Sequence, residues 1–541
     1  MNRETESRFS YLPDKEIKRS IFKRPFTHKT TFSTGSVVPI YVDEILPGDT
    51  VKMNMGSLLR MQTPIFPVMD NAYCDIMFFF CPSRLVWDHF KEFWGENNLT
   101  AWEQQVEYTI PQIEAPANTG WTKGTIADHM GLPIGIPGIS VSHLPIRSYV
   151  RIWNEWFRDE NLKDPAMITM DETTVTGANS GDYVTYAECG AGLLPAARYH
   201  DYFSSALKAP QKGPSVSIPL GNAAPIIGTD NVYSGDEPYI ETALVGEELY
   251  LGKGSNGENY WRLVSDNQTG LGVSKAIGLA ADLSQAIGTT INQLRQSFAI
   301  QAFYEAQARG GSRYIEFIQN IFGVTSPDGR LQRTEYLGGT RFNINMDQVL
   351  QTSSTDNTSP QGNTAAFSCT VSTDELFTHS FVEHGYLIGV AVVRTDHTYQ
   401  QGIERFWSRK KWEQFYIPQF ANLGEMAIEL KEIYASGVQS DDESVWGYQE
   451  AWSDYRYKPS IVSGEMRSTY SQSLDYMHYG DDYSQAPSLS SSWIDETPVN
   501  VDRTIAVQSN TADQFFADFY FDATYTRPMP IYSIPAMLNH F

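Results

Sequence analysis

Residues 252–257 spell Gly-Lys-Gly-Ser-Asn-Gly, which matches the G-x-G-x-x-G pattern that binds the pyrophosphate of dinucleotides. In dinucleotide-binding folds this pattern opens a helix, and the N-terminus of that helix holds the phosphates. Here the pattern is followed by Glu-Asn-Tyr-Trp-Arg-Leu-Val, which is typical of a β-strand. We therefore predict that these residues form the loop of a β-hairpin and bind no dinucleotide.

Catalytic side chains are present but lack a recognisable arrangement. The sequence has no G-x-S-x-G, Walker A, H-E-x-x-H or paired C-x-x-C motif, and its 10 histidines lack metal-ligand spacing. The strongest enzymatic alternative is a glycoside hydrolase, which needs two carboxylates, one of them with a raised pKa. Glu404, Glu413 and Glu450 lie near aromatic residues, but among 64 acidic residues this proximity has no specificity. We predict no catalytic, cofactor or metal site.

The four cysteines are Cys74, Cys81, Cys189 and Cys369. They lack zinc-ligand spacing, and the closest pair lies in a strongly apolar segment, so we interpret them as buried free thiols. The chain starts without an apolar signal-like region, and its apolar runs are far shorter than the roughly 18 residues of a membrane span. The sequence thus predicts a soluble protein, without membrane insertion, made in a reducing cytoplasm.

The charge balance limits the partners of the protein. With 40 basic and 64 acidic residues, the formal net charge of −24 argues against a surface that binds nucleic acid throughout. Residues 1–30 differ, because they contain eight basic and four acidic residues. We interpret them as a basic N-terminal arm that contacts nucleic acid or a neighbouring subunit, with a solvated terminus as the alternative. The residues assigned to this contact are Lys18, Arg19, Lys23, Arg24 and Lys29.

Residues 70–97 contain a strand followed by an aromatic-rich segment. Residues 73–81 are too short and too rich in Phe, Ile and Met for an amphipathic helix, so we predict a strand covered on both faces. Pro82 ends this strand, Ser83 can cap a helix, and Gly95 can end it. The residues predicted on the apolar face of that helix are Leu85, Val86, Phe90, Phe93 and Trp94. Another part of the chain must cover that face.

Other strands indicate an antiparallel β-sandwich with insertions. Strand patterns occur at residues 37–42, 50–58, 386–393 and 515–525, and Pro47-Gly48-Asp49 forms a turn between the first two. Residues 102–145 are rich in Gly and Pro and predict a long loop with one short helix. Apolar residues at helical spacing predict an amphipathic helix over residues 147–162. Strands and helices do not alternate regularly, which argues against a parallel α/β sheet.

Residues 213–288 differ in texture from the segments on either side. They are rich in Gly, Asn, Ser, Thr and Ala and contain short strand patterns, so we predict an insertion with its own small fold. Two helices follow, at residues 290–310 and 312–322. The first is predicted to turn an apolar stripe inward; the stripe consists of Ile291, Leu294, Phe298, Ala302 and Phe303.

Residues 446–460, WGYQEAWSDYRYKPS, interleave aromatic and basic side chains. The aromatic residues are too closely spaced to share one helical stripe, so we predict that some contact a neighbouring subunit, with a core patch as an equal alternative. This predicted patch consists of Trp446, Tyr448, Trp452, Tyr455 and Tyr457. Arg456 and Lys458 flank Tyr457 and could bind single-stranded DNA by charge and stacking; salt bridges or subunit contacts are the alternative.

This run closely resembles the corresponding run of the major capsid proteins of microviruses, with the gokushovirus branch as the nearest match. Four further segments carry the resemblance: DNAYCDIMFFFCPSRLVWDHFKEFWGE, IRSYVRIWNEWFRDENL, INQLRQSFAIQAFYEAQARGGSRYIEFI and FGVTSPDGRLQRTEYLGG. The resemblance extends from the N-terminal arm to the C-terminus and spares residues 213–288.

The resemblance implies a mainly β fold, an eight-stranded antiparallel jelly roll with long helical and loop insertions. The implied parts are the arm at residues 1–30, a first core part at 31–212, the insertion at 213–288 and a second core part at 289–541. Roughly sixty copies would form a T=1 icosahedral shell. The insertion would form a protrusion on each three-fold axis and bind the host surface.

The resemblance also implies partners and a location. The shell would enclose single-stranded DNA with a small basic DNA-binding protein, and its assembly in the host bacterial cytoplasm would need an internal scaffolding protein. The protrusion would bind a host cell-surface receptor. A jelly-roll carbohydrate-active enzyme or lectin, acting as a monomer or small oligomer, is the alternative function.

Overall fold

The structure is a computed structural model of the chain. It describes residues 18–96, 107–214, 216, 226–228, 248–253, 259–264, 279–281, 291–311, 313–352, 355, 361 and 364–532. The chain divides into two compact units: residues 1–210 with 307–541, and residues 211–306.

The strands are β1 (Ser20–Phe32), β2 (Ser36–Ile45), β3 (Thr50–Met61), β4 (Ala72–Pro82), β5 (Gln112–Glu114), β6 (Ser140–Ser142), β7 (Val175–Thr176), β8 (Leu194–Pro195), β9 (Ile226–Gly228), β10 (Glu248–Lys253), β11 (Asn259–Val264), β12 (Leu279–Ala281), β13 (Glu335–Asn343), β14 (Met346–Leu350), β15 (Thr364–Ser368), β16 (Thr370–Ser380), β17 (Gly385–Thr395), β18 (Glu425–Glu429), β19 (Val445–Glu450) and β20 (Phe515–Arg527). The α-helices are α1 (Phe90–Phe93), α2 (Ile126–His129), α3 (Leu144–Ile152), α4 (Tyr183–Tyr186), α5 (Ile291–Gly310), α6 (Tyr314–Phe317), α7 (Leu430–Ile433), α8 (Gln439–Asp442) and α9 (Val499–Asp502). Single π turns, Trp153–Phe157 and Ile318–Phe322, extend α3 and α6, and short 3₁₀ turns lie at Ser83–Leu85, Asp328–Leu331, Arg405–Ser408, Trp412–Gln414, Pro418–Phe420, Ser453–Tyr455, Gly464–Met466 and Asp475–Met477.

Two antiparallel sheets form the body of the first unit. One has the strand order β1-β20-β3-β16, and the other has the order β13-β4-β17-β2-β8. Alternate side chains of β3 and β20 in the four-stranded sheet meet one face of the five-stranded sheet in a single apolar core. The predicted mainly β sandwich is therefore confirmed, as are the strands predicted at residues 37–42, 50–58, 386–393 and 515–525.

The turn between β2 and β3 has the predicted chemistry. Gly48 has φ +89°, a conformation that favours glycine. Asp49 accepts a hydrogen bond from the backbone N–H of Leu46 at 3.0 Å. The side chain of Asp49 thus closes the turn through which the chain passes from the five-stranded sheet to the four-stranded sheet.

Strand β4 is buried on both faces, as its uninterrupted apolar sequence predicts. Phe78 packs in the core between the sheets, whereas Phe79 on the other face contacts Trp156 and Phe157. Helix α3 and its π turn supply this second apolar surface, with Trp153 fully buried. The predicted helix at residues 147–162 is confirmed as α3 and the π turn, and the predicted short helix within residues 102–145 as α2.

The prediction of a long helix after β4 is wrong. The structure has a 3₁₀ turn, Ser83–Leu85, and the one-turn helix α1. The backbone N–H of Asp88 donates to the carbonyl of Met170 at 3.0 Å, and the buried Trp87 ring donates to Glu172 at 2.8 Å. These long-range bonds replace the helical ones. Trp94, predicted on the apolar face, is 61% exposed.

Most of the described part of the predicted basic arm lies in a sheet. Strand β1 pairs with β20 along its whole length, from Ser20 opposite Arg527 to Phe32 opposite Phe515. The four-stranded sheet therefore begins at Ser20, whereas the core was predicted to start at residue 31.

The second unit, residues 211–306, extends beyond the predicted insertion at residues 213–288. Strand β10 ends with Gly252 and Lys253, the first two residues of the G-x-G-x-x-G motif, and pairs antiparallel with β11, which confirms the predicted hairpin; residues 254–258 lie outside the described residues. Helix α5 confirms the helix predicted at residues 290–310, although Thr290 is not described. The predicted inward stripe is wrong, because Phe298 is 62% exposed and Phe303 is also exposed.

Replacing the ring at the centre of the sandwich tests this packing. Phe78 contacts Tyr41, Phe377 and Phe521, and we expect Phe78→Ala to lower the free energy of unfolding by about 3–5 kcal/mol, because a cavity remains. Val371→Ala on the exposed side of β16 is the control and should change it by about 0.5 kcal/mol or less. Denaturant unfolding monitored by circular dichroism measures both; equal midpoints would contradict the proposed core.

Candidate subunit and nucleic-acid contacts

A buried charged cluster is the nearest approach to a catalytic constellation in the described residues. His397 lies between two carboxylates, with Nδ1 3.1 Å from Asp481 and Nε2 2.9 Å from Glu496. Arg198 donates to Asp481 at 2.7 Å and Asn500 donates to it at 2.6 Å. The side chains of the cluster are buried, that of His397 with 4% exposure, so no substrate reaches them. The cluster ties distant loops together and is structural.

Burial and charge act against each other on His397. Burial lowers its pKa, but Asp481 and Glu496 together raise the pKa to about 10. Burial also raises the pKa of Asp481, whereas His397 and Arg198 hold it below its usual range. The imidazolium form of His397 is therefore present at neutral pH.

A second group of carboxylates lies near a cavity of about 170 Å³ lined by aromatic residues. Burial raises the pKa of Glu432 there. Its carboxylate accepts from the Tyr202 hydroxyl at 2.9 Å, from the Glu429 N–H at 3.0 Å and from Arg405 at 3.4 Å. These bonds use the oxygens that an acid catalyst would need, so Glu432 anchors α7.

The carboxylates singled out in the sequence do not form a catalytic pair. Lys458 binds both oxygens of Glu404, at 2.6 and 2.7 Å, and Arg456 pairs with Glu450. Glu413 is exposed. Within the described ranges, no group of three or more His, Cys, Asp or Glu side chains is arranged to hold a metal. Cys74, Cys81 and Cys189 are buried free thiols, as predicted, whereas Cys369 is half-buried.

The predicted aromatic patch is divided between the interior and the surface. Trp446 is buried against Phe203 and Trp493, and Trp452 is buried with its ring N–H donating to the Phe420 carbonyl at 2.8 Å. Tyr448 is half-buried in β19. Tyr455 and Tyr457 are exposed. The last two are therefore the members of the patch that remain available for a neighbouring chain.

The exposed tyrosines belong to a larger surface that the sequence reasoning missed. Large apolar side chains from residues 403–423 surround them, with Trp407 74% and Trp412 64% exposed. We call this set the loop aromatic surface; its members are Phe406, Trp407, Trp412, Phe415, Tyr416, Tyr455 and Tyr457. The clustering of Trp, Phe and Tyr in residues 406–416 is the signal that could have found it.

The basic residues within the predicted patch are already paired. Arg456 contacts Glu450, and Lys458 contacts Glu404 while lying 5.5 Å from the centre of the Phe406 ring. This geometry favours the salt-bridge interpretation of these two residues.

The basic residues of the predicted arm have different surroundings. Lys18, Arg19 and Lys23 are exposed. Arg24 pairs with Asp43 and lies 4.9 Å above the Tyr525 ring. Burial lowers the pKa of Arg24, but Asp43 outweighs this effect, so that the pKa is raised. Arg24 is thus engaged within the subunit.

Lys29 lies beside a cleft of about 550 Å³ at one end of the four-stranded sheet. The cleft brings Lys29 together with Arg60 on β3, Lys123 and the ring of Phe516 on β20. Lys29 pairs with Asp518 at 3.1 Å and Lys123 with Asp513 at 3.1 Å. Sequence reasoning missed Arg60, Lys123 and Phe516, because strand pairing between distant segments brings them together.

A sandwich whose long loops carry many exposed aromatic side chains is typical of proteins that contact other chains. Over residues 10–537 the chain matches the family model described as "Capsid protein (F protein)". The chain belongs to this family of microvirus capsid proteins.

Three curated relatives agree with this assignment. The capsid protein VP1 of Spiroplasma virus 4 is 41% identical over 98% of this chain and 97% of its own length. The capsid protein VP1 of Bdellovibrio phage phiMH2K is 39% identical over 100% and 99%. That of Chlamydia phage 1 is 36% identical over 98% of each.

This family assignment answers the broad questions that the sequence raised. The protein has a structural, non-enzymatic role, which excludes the carbohydrate-active enzyme, and as a capsid protein it belongs to a homo-oligomeric shell in the virion. Among the described helices, none has the length and apolarity to cross a lipid bilayer.

The buried histidine gives a pH-dependent stability. Its pKa is raised to about 10 in the fold, against about 6.5 in an unfolded chain, so the folded state binds the extra proton between these values. Its stabilising contribution is therefore complete below pH 6.5 and is lost as the pH rises through about 10. We expect the stability difference between wild type and His397→Gln to shrink by about 1.4 kcal/mol per pH unit in this window. Denaturant unfolding at pH 6.5, 8 and 9.5 measures it; a constant difference would contradict a charged His397.

Proposed function

We propose that roughly sixty copies of this chain assemble into a T=1 icosahedral shell around single-stranded DNA. The observation that carries the proposal is the loop aromatic surface, on a unit whose sandwich core is already complete without it. Exposed Trp and Tyr rings in such numbers are typical of protein interfaces, where they act as buried anchors. The membership in the capsid family supplies the context.

Contacts between copies would bury the loop aromatic surface. The Tyr455 ring lies 4.5 Å below the Arg409 guanidinium and 6.1 Å from the centre of the tilted Tyr416 ring, so neighbouring side chains hold it in place. Rigid aromatic side chains lose little conformational entropy on binding. A closed shell needs several different contacts from one chain, and this surface supplies one of them.

The second unit would form a surface protrusion on each three-fold axis and bind a receptor on the host cell. The second unit is compact by itself, because most of its residue contacts are internal, and this supports an independent role for it. Exposed apolar residues on α5, namely Phe298, Ile300 and Phe303, would pack against other copies of the unit.

Other components would share the work of assembly. A net charge of −24 cannot neutralise packaged DNA, so a small basic DNA-binding protein would do most of this. An internal scaffolding protein would guide assembly in the host bacterial cytoplasm, where the free thiols of the described cysteines would stay reduced.

Assembly itself is the primary test of the proposed shell. Material from infected or co-expressing cells should give uniform spherical particles by negative-stain electron microscopy and a mass of about sixty chains by light scattering. Particles of that mass without three-fold knobs would contradict the role of the second unit. Monomers or small oligomers, with the assembly partners present, would contradict the shell.

Removing exposed rings should stop assembly without unfolding the subunit. We expect Trp407→Ala with Tyr457→Ala to reduce the yield of shells at least tenfold, because each ring is exposed in the subunit and would anchor a neighbour. The unfolding midpoint should stay close to that of the wild type.

The buried member of the same sequence run is the matched control. Trp452→Ala should instead lower the unfolding free energy by about 3–5 kcal/mol, because its ring is buried among Tyr416 and Tyr455 and bonds to Phe420. Normal shell yield from the double variant would show that the loop aromatic surface is not a subunit contact.

Deleting the insertion tests whether it folds by itself. We expect removal of residues 215–288, with a short Gly/Ser linker between 214 and 289, to leave a soluble first unit, because that unit has its own core. Circular dichroism and the unfolding midpoint of the deleted chain should match those of the intact subunit. An insoluble or unfolded product would show that the segment completes the core.

A further inference from the structure

The four-stranded sheet has one face packed in the core and one open face. Along β20 the buried and exposed residues alternate, and the exposed ones point away from the five-stranded sheet. Helix α3 covers the outer face of the five-stranded sheet, but among the described residues the four-stranded sheet has no comparable cover. We call its outward side the open face; its residues include Lys23, Lys29, Lys52, Gly56, Arg60, Phe516 and Tyr520.

Two aromatic rings lie on the open face of β20. Phe516 is 42% exposed and Tyr520 is 48% exposed, and four residues of extended chain separate them, or roughly 13 Å. Tyr520 is paired with Gly56 on β3, and the space where a Gly56 side chain would be is empty to beyond 4 Å. Tyr520 is therefore accessible from the β3 side, as a ring that stacks on a planar ligand must be.

The cations beside these rings include two without a carboxylate partner in the described ranges. Arg60 lies opposite Phe516 in the pairing of β3 with β20, and Lys23 is exposed on β1. Lys29 and Lys52 are paired with Asp518 and Glu375, at 3.1 and 2.8 Å.

The acids on the open face do not cancel this charge. Asp518 and Glu375 are held by Lys29 and Lys52, and Asp522 lies apart, between Pro25 and Asn54. The face thus has four cations against three acids, whereas the whole chain has 40 against 64. The cleft at its end adds Lys123, which is paired with Asp513, and Asp128, so it adds no net positive charge.

We propose that the open face binds single-stranded DNA, with bases stacked on Phe516 and Tyr520 and phosphates near Arg60 and Lys23. This assignment rests on the proposed enclosure of DNA. Stacking on an exposed sheet requires unpaired bases, which a single strand supplies and a duplex does not. A second copy of this chain is the competing occupant, because its many carboxylates would pair with Arg60 and Lys23; the assembly measurement below distinguishes it from DNA.

Binding of a labelled oligothymidylate to the full-length, unassembled subunit tests the proposal. Fluorescence anisotropy at low salt should show Phe516→Ala with Tyr520→Ala binding at least tenfold more weakly, because each stacked base contributes about 1–3 kcal/mol. Arg60→Ala should weaken binding and reduce the salt dependence by about one counterion.

A second variant blocks the site without removing a ring. Gly56→Val should also weaken binding, because the new side chain fills the open space beside Tyr520, while valine suits a strand. The matched control is Trp412→Ala with Lys410→Ala, which removes an exposed ring of the loop aromatic surface and an exposed cation of the same loop. Its affinity for the oligonucleotide should equal that of the wild type.

The same variants distinguish a failure of the proposed DNA site from a failure of the proposed shell. We expect shells of the Phe516→Ala and Tyr520→Ala variant to form but to hold less DNA, as measured by the ratio of absorbance at 260 and 280 nm. Unchanged affinity in both the ring variant and Gly56→Val would overturn the open face as a DNA site. Unchanged affinity with lost shells would make it a contact between copies, which also overturns the assignment. Failure of the wild type to form shells would contradict the proposed capsid architecture and leave the binding measurement valid.

Discussion

The pairing of β4 with β17, buried on both faces, is the constraint on which the first unit depends. A strand covered on both sides needs two apolar surfaces, and its carbonyl and N–H groups can be satisfied only by neighbouring strands. The second sheet supplies one surface and α3 with its π turn supplies the other. Asp75, the charged residue within β4, is tolerated because Arg341, Arg394 and Tyr199 bind its carboxylate. The layers follow from this pair, and so does the open outer side of the remaining sheet.

Local patterns predicted the strands well because the order of apolar and polar residues within each strand determines which of its faces are buried. The continuous apolar runs of β4 and β17 and the alternation in β20 do not depend on distant contacts. The helix predicted from Ser83 failed for the opposite reason. Its apolar spacing is helical, yet the Trp87 ring and the Asp88 N–H find partners in a loop more than eighty residues away, at Glu172 and Met170. Single-chain periodicity contains no information about such partners.

For the candidate site, too, local patterns predicted which residues are present but not their long-range contacts. Sequence patterns found the aromatic run around Trp446 and the basic residues of β1, but not which side chains are free. Arg24 finds Asp43, and Lys458 finds Glu404, so their charges are used inside the subunit. Trp452 has φ +64°, and its ring is buried and bonded to the Phe420 carbonyl. Whether a side chain is engaged depends on strand pairing and loop packing between distant segments, and no local signal encodes this.

The net charge of the chain is a poor guide to where it can meet an anion. Many cations are held in ion pairs and cannot bind an external anion. The position of the others in the fold decides whether they can: Arg60 lies on β3, on the side of the sheet that faces away from the core. A chain can therefore remain strongly acidic, which keeps free subunits soluble and mutually repulsive, and still present a locally cationic sheet face. In the proposed shell, burial of the aromatic loops between neighbouring chains would have to offset that repulsion at the contacts. Because the apolar rings lie on the loops and the unpaired cations on the sheet, the proposed subunit and DNA contacts would form independently.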